Sequence, residues 1–137
     1  MHELVTRINE PKLCYVFARN AEKRGHPELA LQAYRRAVDL RAATHVPEVD
    51  NEAELAALRS IYAYEEALSY SKGKRTRATG TWQMVNKHGV FLALAKRMNG
   101  RGGEEIKPVL QELGMADYSF EAVRTEFPDA FEEQQAA

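Results

Sequence analysis

Eight side chains in one stretch of this sequence share a chemistry. Lys72, Lys74, Arg75, Arg77, Lys87, Lys96, Arg97 and Arg101 lie between positions 72 and 103, and no Asp or Glu stands among them. Cations at this density neutralise phosphates, release the counterions condensed on a nucleic acid and supply most of its sequence-independent affinity. The first four share a polar segment with Ser71, Thr76 and Thr79, whose hydroxyls hydrogen-bond phosphate oxygens. Arg101 stands in the turn Gly100-Arg101-Gly102-Gly103, where a backbone can come close to a ligand. The flanks carry the opposite sign: residues 48–66 hold six acids against Arg59, and residues 104–137 hold nine against Lys107 and Arg124. A formal net charge of −1 therefore averages over a basic middle and two acidic flanks, and such blocks act over about 8 Å in physiological salt. The plainer reading is a solvated loop whose charges offset the acids of the same chain or of a neighbouring copy. Glu48, Asp50, Glu52, Glu54, Glu104 and Glu105 stand at helix starts, where the helix dipole alone accounts for them.

Other chemistries find less support. Trp82 to Met98 has the spacing of a helix-turn-helix, with Gly89 in the turn. A recognition helix must offer polar side chains to base edges near its N-terminus, however, and this one begins Val90-Phe91-Leu92-Ala93-Leu94, residues that belong in a core. Trp82 could stack on a base, but a single Trp at helical spacing from Val85 reads first as core. Tyr62, Tyr64 and Tyr70 read as core-edge residues whose hydroxyls reach water. His2, His26, His45 and His88 are far apart, and none has a second ligand at zinc spacing. Cys14, the single cysteine, reads as a small buried hydrophobe. Glu65 and Glu66 point about 100° apart on a helix and do not share one acid–base site. The Gly100–Gly103 turn lacks the preceding strand and following Lys-Ser/Thr of a phosphate-cradling loop. The expectation is a protein that is not an enzyme, with no metal and no cofactor.

These residues must be carried by helices, since nothing alternates with the period of two of a half-buried strand. At 137 residues and 45% hydrophobic, the chain fits one helical domain, 1–137, with an ordinary core. Asn9-Glu10-Pro11 opens a helix with Leu13, Val16, Phe17 and Ala21 on its buried side, and Gly25 ends it. Pro27 opens the next, with the stripe Leu31, Tyr34, Ala37 and Val38, up to the break His45-Val46-Pro47. Together, residues 11–42 form a helical hairpin. Asp50 or Asn51 caps a long helix over 50–70, with Leu55, Leu58, Ile61, Tyr62 and Leu68 inward. In the basic segment, 71–103, Thr79 or Thr81 caps a short helix ended at Gly89, and Val90, Phe91, Leu94, Ala95 and Met98 make another. Residues 104–131 hold the C-terminal helices: Ile106, Val109, Leu110 and Leu113 up to Gly114, then Phe120, Val123 and Phe127 behind a cap at Asp117 or Ser119. Pro128 breaks this last helix, Phe131 docks as a final anchor, and 132–137 is a frayed tail. The fold class expected is all-α, an irregular bundle of about seven short helices.

Residues 13–40, with Ala18, Ala21, Gly25, Ala30, Ala33, Tyr34 and Ala37, resemble one tetratricopeptide-type helical hairpin, although no second copy follows at a 34-residue offset. The second half resembles a group of helical bacterial proteins through Arg75-Thr76-Arg77-Ala78, Thr81-Trp82, Met84-Val85, His88-Gly89-Val90, Phe120-Glu121-Ala122-Val123 and Pro128-Asp129-Ala130-Phe131. That resemblance implies a helical bacterial domain and leaves its chemistry open.

The expected function is a binding module whose basic central surface takes an anionic partner, foremost nucleic acid. The alternative is a protein–protein or self-assembly module using the hairpin and charge complementarity between copies. One cysteine, no secretory signal pattern at the N-terminus and no membrane-length apolar run lead to the expectation of a cytoplasmic protein without a membrane partner.

Overall fold

Helix-capping chemistry sets most of the element boundaries. The computed structural model describes residues 2–45, 51–100 and 105–136, with side chains of the last segment through 132. Among these residues there are nine α-helices, one 3-10 turn and no strand, so the protein is all-α. None of these helices is long and apolar enough to cross a membrane. Where the sequence suggests one domain, the chain divides into two compact units, Met1–Pro47 and Glu48–Ala137.

The first unit holds α1 (Glu3–Thr6), α2 (Pro11–Lys23) and α3 (Pro27–His45). Pro11 begins α2, where its missing N–H costs nothing, and the three residues Arg24 to His26 turn the chain into α3. The two helices meet through small side chains: Ala18 and Ala21 from α2 against Ala30 and Ala33 from α3, bordered by Phe17, Leu29 and Tyr34. The Tyr34 hydroxyl donates to Glu22 Oε1 at 3.0 Å. The Arg36 guanidinium ties down the chain after α1 by donating to the carbonyl of Ile8.

The buried face of α2 is not the one its large residues suggest. Leu13 is 51% exposed and Val16 39%, while Cys14, Ala18 and Ala21 are buried. Residues 14, 18 and 21 also recur at helical spacing, and small side chains let two backbones approach closely enough to gain dispersion along their whole length. Leu13 and Val16 at that seam would hold the helices apart.

The second unit is built around α4 (Glu52–Lys72). Asn51 caps it, its side chain accepting from the N–H groups of Ala53 and Glu54 at 2.8 and 3.3 Å. The helix runs two residues beyond the expected end and stops at Gly73, whose φ of 70° is a left-handed conformation that glycine adopts without strain. Ala56, Ala57, Leu58, Ile61, Ala63 and Ala67 are buried around most of its circumference, the pattern of a helix enclosed by others. Packed on it are α6 (Val90–Asn99), α7 (Lys107–Glu112), the 3-10 turn Ala116–Tyr118 and α8 (Phe120–Glu126). Leu94, Leu110, Leu113, Met115 and Phe120 supply the large buried side chains.

Between α4 and α6 runs α5 (Thr79–His88), joined to α6 by Gly89 alone. The chain ends in α9 (Pro128–Ala136). Ser119 caps α8 as expected, accepting from Ala122 N at 3.1 Å. Pro128 ends one helix but also begins another, since a proline is well suited to a first helical turn, so residues 132–136 continue a helix where a frayed tail was expected. Phe131 is buried and meets the edge of Phe91 with ring centroids 5.4 Å apart.

Candidate functional site

The basic segment is shaped by two acids of α4. Glu65 and Glu66 stand among Ala63, Ala67 and Leu68, and their exposures are 8% and 3%. A carboxylate so buried requires donors, and the segment 73–88 provides them. Glu65 Oε2 accepts from Ala78 N at 2.7 Å and from Trp82 Nε1 at 2.8 Å. Glu66 takes the Arg75 guanidinium as a two-pronged pair, at 3.0 and 2.9 Å. One turn further on, Ser69 Oγ accepts from Thr76 N at 2.9 Å and donates to the Glu65 carbonyl at 2.8 Å. The adjacent acids thus serve different partners, as their angular separation requires. Together with Ser69 they fasten residues 75–82 to α4.

The same contacts replace the cap expected for α5. Its N-cap position is Ala78, which has no side-chain acceptor, and Thr79 is already helical. The Glu65 carboxylate binds the Ala78 N–H and places negative charge at the positive end of the helix. Thr81 is buried, its hydroxyl accepting from Arg97 Nε at 2.9 Å. Trp82 is 6% exposed and tilts against Tyr62 with centroids 5.0 Å apart, so it is a core residue with its indole N–H satisfied.

The cations of the segment consequently fall into two groups. Arg75 is held by Glu66, and half-buried Arg97 reaches the first turn of α5. Lys72 at the end of α4, Lys74 and Arg77 on the connecting loop, Lys87 at the end of α5 and Lys96 on α6 are exposed. No carboxylate of the described residues pairs with any of these five. Arg101 lies outside the described residues. The exposed side of α5 continues the loop: Thr79, Gln83, Asn86 and Lys87 are all exposed at helical spacing, over about 12 Å at 1.5 Å per residue. Lys96 Nζ lies 3.4 Å from His88 Nε2. Partial burial of the ring, and then the charges of Lys96 and Lys87, hold His88 below the usual imidazole range.

The start of α6 is apolar and faces inward. Phe91 packs on Phe131, and Ala93, Leu94 and Ala95 are buried, so α6 offers no polar N-terminus to a DNA groove. Among the described residues no three potential metal ligands cluster, and Cys14 is buried.

The fastening by Glu65, Glu66 and Ser69 was not anticipated from sequence. Its one signal is a pair of acids inside an otherwise apolar helical stretch. No family model, curated protein or solved structure gives a significant match to this chain.

Proposed function

We propose that the unit Glu48–Ala137 is a non-enzymatic module that binds nucleic acid through its phosphates, using Lys72, Lys74, Arg77, Lys87 and Lys96. The observation that carries this reading is the inward commitment of Glu65 and Glu66. Glu65 and Glu66 are taken up by Ala78, Trp82 and Arg75, and no carboxylate of the described residues pairs with the exposed cations. Such a surface attracts a polyanion and repels little of it. The neutral polar groups of Thr79, Gln83 and Asn86 suit hydrogen bonding to phosphate and sugar. Arg75 and Arg97 support the surface from beneath: one anchors the loop to α4 and the other braces α5 against α6.

The test is the salt dependence of binding to labelled single- and double-stranded DNA and RNA. Four phosphate contacts on duplex DNA give a log–log slope of about −3.6, so raising salt from about 50 to 200 mM weakens binding roughly 150-fold. Absence of binding to all of these ligands at low salt overturns the reading.

A second reading concerns the other unit. Leu13 and Val16, the third and sixth residues of α2, stand exposed, and paired apolar side chains of this kind suit contact with another protein or a second copy. Light scattering of the full chain and of Leu13→Ser tests the second-copy form of this reading: an oligomer dispersed by the substitution supports self-assembly, and a monomer in both removes self-assembly.

A further inference from the structure

The last residue of α5 brings a titratable group into the basic surface. His88 is followed by Gly89 alone, and α6 then packs along α5. Gly89 has a φ of 89°, a conformation that glycine adopts without strain, and the turn lets Lys96, the seventh residue of α6, meet His88. Lys96 Nζ lies 3.4 Å from His88 Nε2. An ammonium only donates, so Nε2 turns its lone pair to Lys96 and the ring proton sits on Nδ1.

No acid shares this corner. Lys87 precedes His88 on the same helix, and both Lys87 and Lys96 are exposed. Among the described residues no carboxylate pairs with Lys87, His88 or Lys96. The acids that α4 turns to this segment, Glu65 and Glu66, are taken up by Ala78, Trp82 and Arg75, and Arg97 of α6 turns to Thr81. Partial burial, and then the charges of Lys96 and Lys87, hold the titration of His88 below the usual imidazole range. A protonated ring would face an ammonium across 3.4 Å. An oxyanion between the two nitrogens turns that repulsion into two charge-assisted hydrogen bonds.

We propose that His88 and Lys96 together seat one backbone phosphate of the nucleic acid, His88 taking a proton from solvent as the phosphate enters. The inference rests on the reading of this surface as phosphate-binding and adds to it a contact made only in the complex. Lys96 turns from the ring nitrogen to one phosphate oxygen, and the imidazolium donates from Nε2 to another. A backbone phosphate carries one fixed negative charge, so the proton goes to the imidazole and not to the ligand. The free chain disfavours the imidazolium and the complex favours it. Binding therefore takes up as much as one proton between the two titration points, and affinity rises as the pH falls through them.

The experiment titrates a labelled DNA duplex with the full chain and with His88→Gln by fluorescence anisotropy, between about pH 8 and pH 5.5 at fixed ionic strength, with circular dichroism at each pH. In parallel, NMR follows the His88 imidazole resonances of the isotope-labelled native chain, free, with the duplex and with sodium phosphate. Over this range the affinity of the native chain should rise about tenfold more than that of His88→Gln, and His88 should titrate at a higher pH in the complex than in the free chain. Equal pH dependence in the two chains, or an unmoved His88 titration in the complex, overturns the proposal and leaves the phosphate-binding reading standing. Absence of duplex binding at every pH overturns both. A raised His88 titration with sodium phosphate but not with the duplex assigns the pair to free phosphate and also overturns the proposal. If His88→Gln does not fold, the resonances of the native chain decide: a raised titration in the complex upholds the seat and an unmoved one refutes it.

Discussion

Glu65→Ala removes the acceptor of two buried donors at once. Ala78 and Trp82 are 5% and 6% exposed, and both their N–H groups end on Glu65 Oε2. A buried donor left without a partner costs about 1–3 kcal/mol, so the substitution should cost about 4 kcal/mol, a large share of the 5–15 kcal/mol that holds an ordinary domain together. Glu65→Gln keeps an oxygen in the same place and loses only the charge assistance of the two bonds, about 1 kcal/mol each. Trp82 is the single tryptophan of the chain, so its fluorescence reports this site without interference. In urea unfolding with a slope of about 2 kcal/mol/M, the midpoint should fall by about 2 M for Glu65→Ala and about 1 M for Glu65→Gln. The native emission of the Ala variant should also move to the red as water reaches the indole. Equal midpoint losses for Gln and Ala, or losses of both below roughly 0.3 M, would refute the assignment of Oε2 as the shared acceptor.

Three further outcomes follow from the same geometry. Arg75→Gln removes the two-pronged cationic partner of the buried Glu66 carboxylate, while Arg75 itself is half in water; the expected cost is about 2–4 kcal/mol, against less than about 0.5 kcal/mol for Arg77→Gln, measured by urea unfolding. His88 is held below its ordinary value by partial burial and then by Lys96 and Lys87, so the unfolded chain takes up a proton first as the pH falls. Stability contributed by neutral His88 is therefore full above pH 6.5 and is lost as the pH falls through that value towards the lowered one, and His88→Gln should abolish this part of the pH dependence. On α2, Leu13→Ser should change stability by less than about 0.5 kcal/mol, whereas Ala18→Leu, at the closed seam with α3, should cost about 1–3 kcal/mol from overpacking. The reverse order would place the buried face of α2 on its large residues.

Much of the fold is written in local signals. Pro11, Pro27, Asn51 and Ser119 open helices where short-range chemistry says they should, and Phe131 anchors the C-terminal helix. What local signals miss depends on non-local packing. The face of α2 is chosen by the alanines of α3, which periodicity within α2 does not reveal. Pro128 reads equally well as a stop and as a start, and only the burial of Phe131 decides between them. In the basic segment the density of cations is plain in the sequence, but their availability is not. Arg75 is taken up by Glu66 nine positions earlier, and Arg97 turns to Thr81 sixteen positions earlier. Both partners look unremarkable until the chain folds back on itself.

The central claim is that exposed cations around α5, unpaired with any carboxylate of the described residues, bind phosphates, and the most direct measurement compares salt slopes. The native chain and a Lys74→Gln, Arg77→Gln, Lys87→Gln variant are titrated against the same labelled duplex by fluorescence anisotropy, with circular dichroism confirming that both are helical. The account predicts a slope near −3.6 for the native chain, falling to between about −0.9 and −1.8 in the variant, where Lys72 and Lys96 alone remain, with affinity lost accordingly. A variant that binds as tightly as the native chain, with the same slope, would contradict it.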